Sequence, residues 1–132
     1  MSTPDVTAEA GSTVSIPIYL HIDEDQYVYG IQMNYKLGTG LSYSKFTKGA
    51  DMTSIKADVS CNKTGFAYAV FPAASSGVHV TGDLLFGTIN VKVAEGLASG
   101  TEIPVTFTNV QYSDASFKPV DSAVTAGKVI VK

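Results

Sequence analysis

The chain has 132 residues, 45% of them hydrophobic, which suits one domain over residues 1–132 with a core of its own. Its net charge is −3 and all of its nine basic residues are Lys, so it carries neither the basic footprint of a nucleic-acid binder nor the bidentate guanidinium clamp for phosphate. Cys61 is the single cysteine, which excludes an internal disulfide and a cysteine-built zinc site, and no apolar run approaches the ~20 residues that span a bilayer as a helix.

The pattern along the chain is alternation. A short strand is expected at Val6–Ala8, turned by Gly11 into Thr13–Ile22, where Val14, Ile16, Ile18, Leu20 and Ile22 share one parity. Asp23-Glu-Asp-Gln26 reads as a polar turn. Tyr27–Leu37 follows, with Ile31, Met33, Tyr35 and Leu37 predicted inward and Gly30, Gln32, Asn34 and Lys36 outward. Leu41–Thr47 is the fourth strand. Ile55, Ala57 and Val59 alternate within Asp51–Cys61, which predicts a short fifth one. Asn62-Lys-Thr-Gly65 is a hairpin turn, although it also fits a glycosylation sequon. In Phe66–Phe71 the parity predicts Phe66, Tyr68 and Val70 inward and Ala67, Ala69 and Phe71 outward. After the loop Pro72–Gly82 come Leu84–Val93, the turn Ala94–Gly100, Thr101–Tyr112, a polar stretch leading to Phe117–Val120, and a closing strand at Lys128–Lys132. No segment has a convincing helical period, so the expected fold is an all-β, nine-stranded β-sandwich with little or no helix.

Little here points to catalysis. His21 and His79 have no His or Cys neighbour at ligand spacing, and Asp23, Glu24 and Asp25 lack the alternating spacing of a calcium loop. No nucleophile elbow, phosphate loop or His-Glu-x-x-His helix occurs. The chain is therefore not expected to be an enzyme and is expected to hold no metal or cofactor. The informative oddity is an outward parity of small, apolar or amide-bearing residues: Val28, Gly30, Gln32 and Asn34 on one strand, Ala67, Ala69 and Phe71 on another. Such a surface suits coverage by another protein.

These residues resemble the cohesin family. Val6-Thr-Ala-Glu-Ala-Gly-Ser-Thr-Val-Ser-Ile-Pro-Ile is similar to a cohesin opening, and Tyr29-Gly-Ile-Gln-Met-Asn-Tyr-Lys-Leu to its third strand. Phe66-Ala-Tyr-Ala-Val-Phe, Gly82-Asp-Leu-Leu-Phe-Gly-Thr-Ile-Asn-Val-Lys-Val and Ala126-Gly-Lys-Val-Ile-Val resemble its sixth, seventh and last strands. The resemblance implies a jelly-roll topology and a non-catalytic module of a larger secreted scaffoldin, extracellular or at the cell surface. Met1-Ser-Thr-Pro, which carries no leader pattern, is read as the start of an excised or mature module. The implied partner is a dockerin, a calcium-loaded helix pair carried by an enzyme or another scaffoldin, with the calcium on the dockerin only. Where the best-known cohesins place a carboxylate or Asn early in strand three this chain has Val28 or Gly30, and where an acidic residue often follows strand six it has Pro72-Ala73. A divergent cohesin is implied.

By resemblance the site lies on the sheet of strands eight, three, six and five. That assigns Val28, Gly30, Gln32 and Asn34, then Asp58 and Ser60, then Ala67, Ala69 and Phe71, and finally Asp114 and Phe117 near the eighth strand. Phe71 and Phe117 are the expected apolar anchors. Gly30, Ala67 and Ala69 would keep the platform flat, and Gln32, Asn34, Asp58 and Asp114 would form its polar rim. The competing reading is a carbohydrate-binding module on a similar jelly roll, disfavoured by the lack of Trp, although Tyr19, Tyr27 and Tyr29 could face solvent. A surface-layer or adhesin domain is the third reading.

Overall fold

The computed structural model describes residues 1–22, 30–54, 58–63, 65–70, 82–113, 119–121 and 124–132. Two sheets pack face to face. One takes the order β1-β10-β8-β3-β6-β5, with β9 paired to the second half of the free edge of β8; the other has the order β2-β7-β4. The strands are β1 (Val6–Ala8), β2 (Thr13–Ile22), β3 (Gly30–Leu37), β4 (Leu41–Lys48), β5 (Asp58–Cys61), β6 (Phe66–Val70), β7 (Gly82–Val93), β8 (Glu102–Ser113), β9 (Pro119–Asp121) and β10 (Lys128–Val131). The nine expected strands are present. The additional segment, β9, falls within the stretch read from sequence only as leading to Phe117–Val120.

Alternation places the core where the β2 and β3 patterns predict. Ile16, Ile18 and Leu20 of β2 face Ile31, Met33 and Tyr35 of β3 across the interior, joined by Phe86, Ile89, Val91 and Val93 of β7 and by Ile103, Val105 and Phe107 of β8. Pro17 lies in β2, an edge strand, where a missing N–H is tolerated. Buried tyrosines need a partner for their hydroxyl. Tyr112 of β8 donates to the His21 carbonyl of β2 at 3.2 Å, and Tyr43 of β4 donates to the Cys61 carbonyl of β5 at 3.3 Å, so each hydroxyl ties one sheet to the other. Cys61 is half-buried and packs against the core. Burial raises its pKa, an effect partly offset by a hydrogen bond with Tyr35, and the thiol is held protonated as a small hydrophobe.

The stretch Asp51–Cys61, expected to be one short strand, divides. Ala50–Ser54 forms a helix, α1, and only Asp58–Cys61 is strand; residues 55–57 lie outside the described set. The cause is a bulge in β7. Ile18 pairs with Gly87 and Tyr19 with Leu85, so Phe86 is the extra residue. The Asp51 carboxylate accepts the Leu85 N–H at 2.7 Å, and Met52 is fully buried. A strand at this position could supply neither the cap for the bulge nor the plug at the end of the core. Asp51→Ala is expected to lower unfolding free energy by about 1–3 kcal/mol, the cost of orphaning a half-buried donor bonded to a charged acceptor, as measured by urea denaturation.

Candidate interaction face

The outer face of β8-β3-β6-β5 is built from register. Ser60 pairs with Tyr68, Tyr68 with Gln32 and Gln32 with Gln111, which makes one row across four strands. In the next row Phe66 pairs with Asn34 and Asn34 with Thr108. Strands spaced about 4.8 Å apart make this platform about 14 Å across. That matches an α-helix with its side chains, about 10–12 Å in diameter.

Two rings stand on the platform. Phe66 is 37% exposed and Tyr68 39%, with centroids 5.8 Å apart and planes tilted by 39°. Beside them Gln32 Nε2 donates to Gln111 Oε1 at 3.3 Å. A second bulge adds polar groups. Between Gln32↔Gln111 and Asn34↔Thr108 the register shifts, and Asn109 takes a left-handed φ of 52°. Thr108 and Asn109 are consequently both exposed, while Phe107 and Val110 on either side are both buried. Asn is among the few residues that accept this conformation readily.

The hairpin entering β6 is held by turn chemistry at the sequon. The Asn62 side-chain oxygen accepts the Phe66 N–H at 3.1 Å, and Gly65 has φ +101°, with a Cβ there falling 2.6 Å from the Tyr35 carbonyl oxygen. Only glycine fits. The Tyr35 hydroxyl donates to the Asn62 carbonyl from beneath, and burial, followed by the neighbouring Cys61, drives its pKa well upward.

The structure inverts the expected parity of β6. Ala67 and Ala69 are 0% and 1% exposed and face the core, so they cannot form the contact surface. The side chains expected inside, Phe66 and Tyr68, face solvent. The reason is volume. Ala67 pairs with Met33 and Ala69 with Ile31, two long inward side chains on the adjacent strand. Small residues beside large ones fill the layer, whereas Phe and Tyr in those places would overpack it. Gly30, Gln32, Asn34, Asp58 and Ser60 do lie on or beside the outer face, with Gln32 and Asp58 exposed and Gly30, Asn34 and Ser60 partly so. Val28, Phe71, Asp114 and Phe117 lie outside the described residues. Among the described residues no three His, Cys, Asp or Glu side chains cluster as a metal site would require.

Residues 1–131 match the family model of the Cohesin domain. The chain belongs to the cohesin family.

Solved structures share its fold at low identity. The sixth cohesin of scaffoldin B from Acetivibrio cellulolyticus, solved with a Cel5 dockerin mutant, is 21% identical with a TM-score of 0.74, covering 99% of this chain and 96% of that one. The third ScaB cohesin of R. flavefaciens, in complex with a group 1 dockerin, is 16% identical with a TM-score of 0.79, over 99% and 92%. A non-cellulosomal cohesin from the hyperthermophilic archaeon Archaeoglobus fulgidus is 17% identical with a TM-score of 0.74, over 99% and 88%. A search of curated proteins found no match.

Sequence reasoning missed Phe66 and Tyr68 on this cohesin's outer face, along with the doubled polar positions Thr108 and Asn109. A signal for the first was present: Ala67 and Ala69 are the smallest apolar residues on their strand, and a strand next to the Ile31-Met33-Tyr35 row has little room to give.

Proposed function

We propose that this cohesin is a non-catalytic docking module that binds a calcium-loaded dockerin on the outer face of β8-β3-β6-β5, and so recruits an enzyme or scaffoldin to a secreted assembly such as a cellulosome. Family membership supports the partner class, and cohesins of the same fold have been solved with dockerins. The observation that carries the site is the exposed Phe66–Tyr68 pair, seated on a helix-wide strip whose other groups are amides and hydroxyls. Apolar anchors within a polar surround are where binding energy concentrates. Gly30, Gln32, Asn34, Asp58 and Ser60 lie around the pair.

Sugar binding fits less well. Two rings that are 5.8 Å apart and tilted by 39° pack on each other rather than forming a flat row for successive sugars. Isothermal titration against isolated dockerins in calcium is expected to give a one-to-one complex, abolished by EDTA. The melting temperature of the cohesin alone should not respond to EDTA, and its retention on insoluble cellulose should match that of a non-binding control. Retention on cellulose with no dockerin binding would reverse the assignment.

A further inference from the structure

We propose that the dockerin helix this face accepts is uncharged where it crosses the row Ser60–Tyr68–Gln32–Gln111, so that the complex forms without a central ion pair. The inference rests on the dockerin-binding reading and specifies the chemistry of the partner. Every described residue in that row and in the adjacent Phe66–Asn34–Thr108 row, together with Asn109, is neutral. The described charges on this sheet flank those rows, the nearest being Asp121 of the edge strand β9, which pairs with Gln111. Asp58 is exposed on the edge strand β5, Lys36 is paired with Thr106 toward the far end, and Lys128 Nζ meets Glu102 Oε1 at 2.9 Å, each offsetting the other. A Lys or Glu laid on the centre would lose hydration against two aromatic rings and two amides, with no counter-charge among the described residues of the Ser60–Tyr68–Gln32–Gln111 and Phe66–Asn34–Thr108 rows to replace it. An aliphatic side chain over Phe66 and Tyr68, flanked by hydroxyl or amide groups facing Gln32 and Asn34, loses nothing comparable. The face therefore selects by excluding charged contact helices as well as by attraction.

The test uses the folded module and a panel of isolated calcium-loaded dockerins, taking the tightest binder as the probe. Between ~50 and ~500 mM NaCl its Kd should change by less than about fivefold, because this range removes most of the attraction between exposed charges. Gln32→Glu, which adds an anion to the centre at unchanged size, should weaken binding about tenfold or more, and Gln111→Glu should act in the same direction. Both sites are at the surface, and unchanged thermal melts will confirm that the variants fold. A salt-induced weakening of fivefold or greater, or tighter binding by Gln32→Glu, would reveal a cation on the partner and overturn the inference. A panel with no binder, or a binder indifferent to Tyr68→Ala as well as to both Glu variants, would instead overturn the dockerin-face reading and the inference with it.

Discussion

Tyr68→Ala and Phe66→Ala are each expected to weaken dockerin binding by about 1–3 kcal/mol, roughly ten- to a hundredfold in Kd, with most of the loss in the dissociation rate. Both rings lie centrally on the proposed face and are more than a third exposed, so the free module leaves unburied the area that a partner would cover. For the same reason fold stability should change by less than about 1 kcal/mol in either variant, far below the ~3–5 kcal/mol for truncating a core Phe. The rings touch at 5.8 Å, so the double variant should lose less than the sum of the two single losses. Titration calorimetry paired with thermal melts measures both quantities. Loss of folding in Phe66→Ala, with affinity per folded molecule unchanged, would return Phe66 to the core and remove it from the interface.

Phe86→Ala should do the opposite: a loss of about 3–5 kcal/mol in unfolding free energy, with dockerin affinity unchanged in whatever fraction remains folded. Phe86 is completely buried at the β7 bulge, and its ring packs on Phe46 with centroids 5.7 Å apart and planes inclined by 50°. The neighbouring Gly87 is the reason Phe46 can reach it. A Cβ at Gly87 would fall 2.1 Å from Phe46 Cζ and 2.8 Å from the Thr47 carbonyl oxygen, so Gly87→Ala must move either the ring or the β4 backbone. Gly87→Ala is therefore expected to destabilise as well, by about 1–3 kcal/mol, through overpacking. Urea denaturation of both variants, with the slope on denaturant unchanged, would assign the losses to the native state. Near-native stability of Phe86→Ala would mean that the inner layer can collapse around the cavity.

The two variant sets separate what the outer and inner layers do. Residues on the strip answer to a partner, whereas residues at the β7 bulge answer to packing. Asp51 belongs with the second group, because its carboxylate accepts the Leu85 N–H beside the bulge.

Strict alternation of a strongly apolar class with a polar one determined most of this molecule from the sequence alone. In β2, Ile16, Ile18 and Leu20 alternate with Ser15, Pro17 and Tyr19; in β3, Ile31, Met33 and Tyr35 alternate with Gln32, Asn34 and Lys36. Burial of one face and hydration of the other leaves a single choice there, and the sandwich follows. The resemblance to cohesins also anticipated that strands eight, three, six and five lie side by side in one sheet. What the tertiary structure alone decided is where alternation is degenerate or interrupted. In β6 both parities are apolar, so hydrophobicity cannot choose between Phe66/Tyr68 and Ala67/Ala69; the volumes of Met33 and Ile31 on the adjacent strand do. In β7 and β8 a bulge shifts the parity midway, and a bulge is a property of two strands in register, which neither strand's own sequence contains. The α1 turn depends on the same cause, since its helix exists where a carboxylate reaches a donor 34 residues away. Local pattern selects a face when one side must be buried, and long-range packing selects it when either side could be.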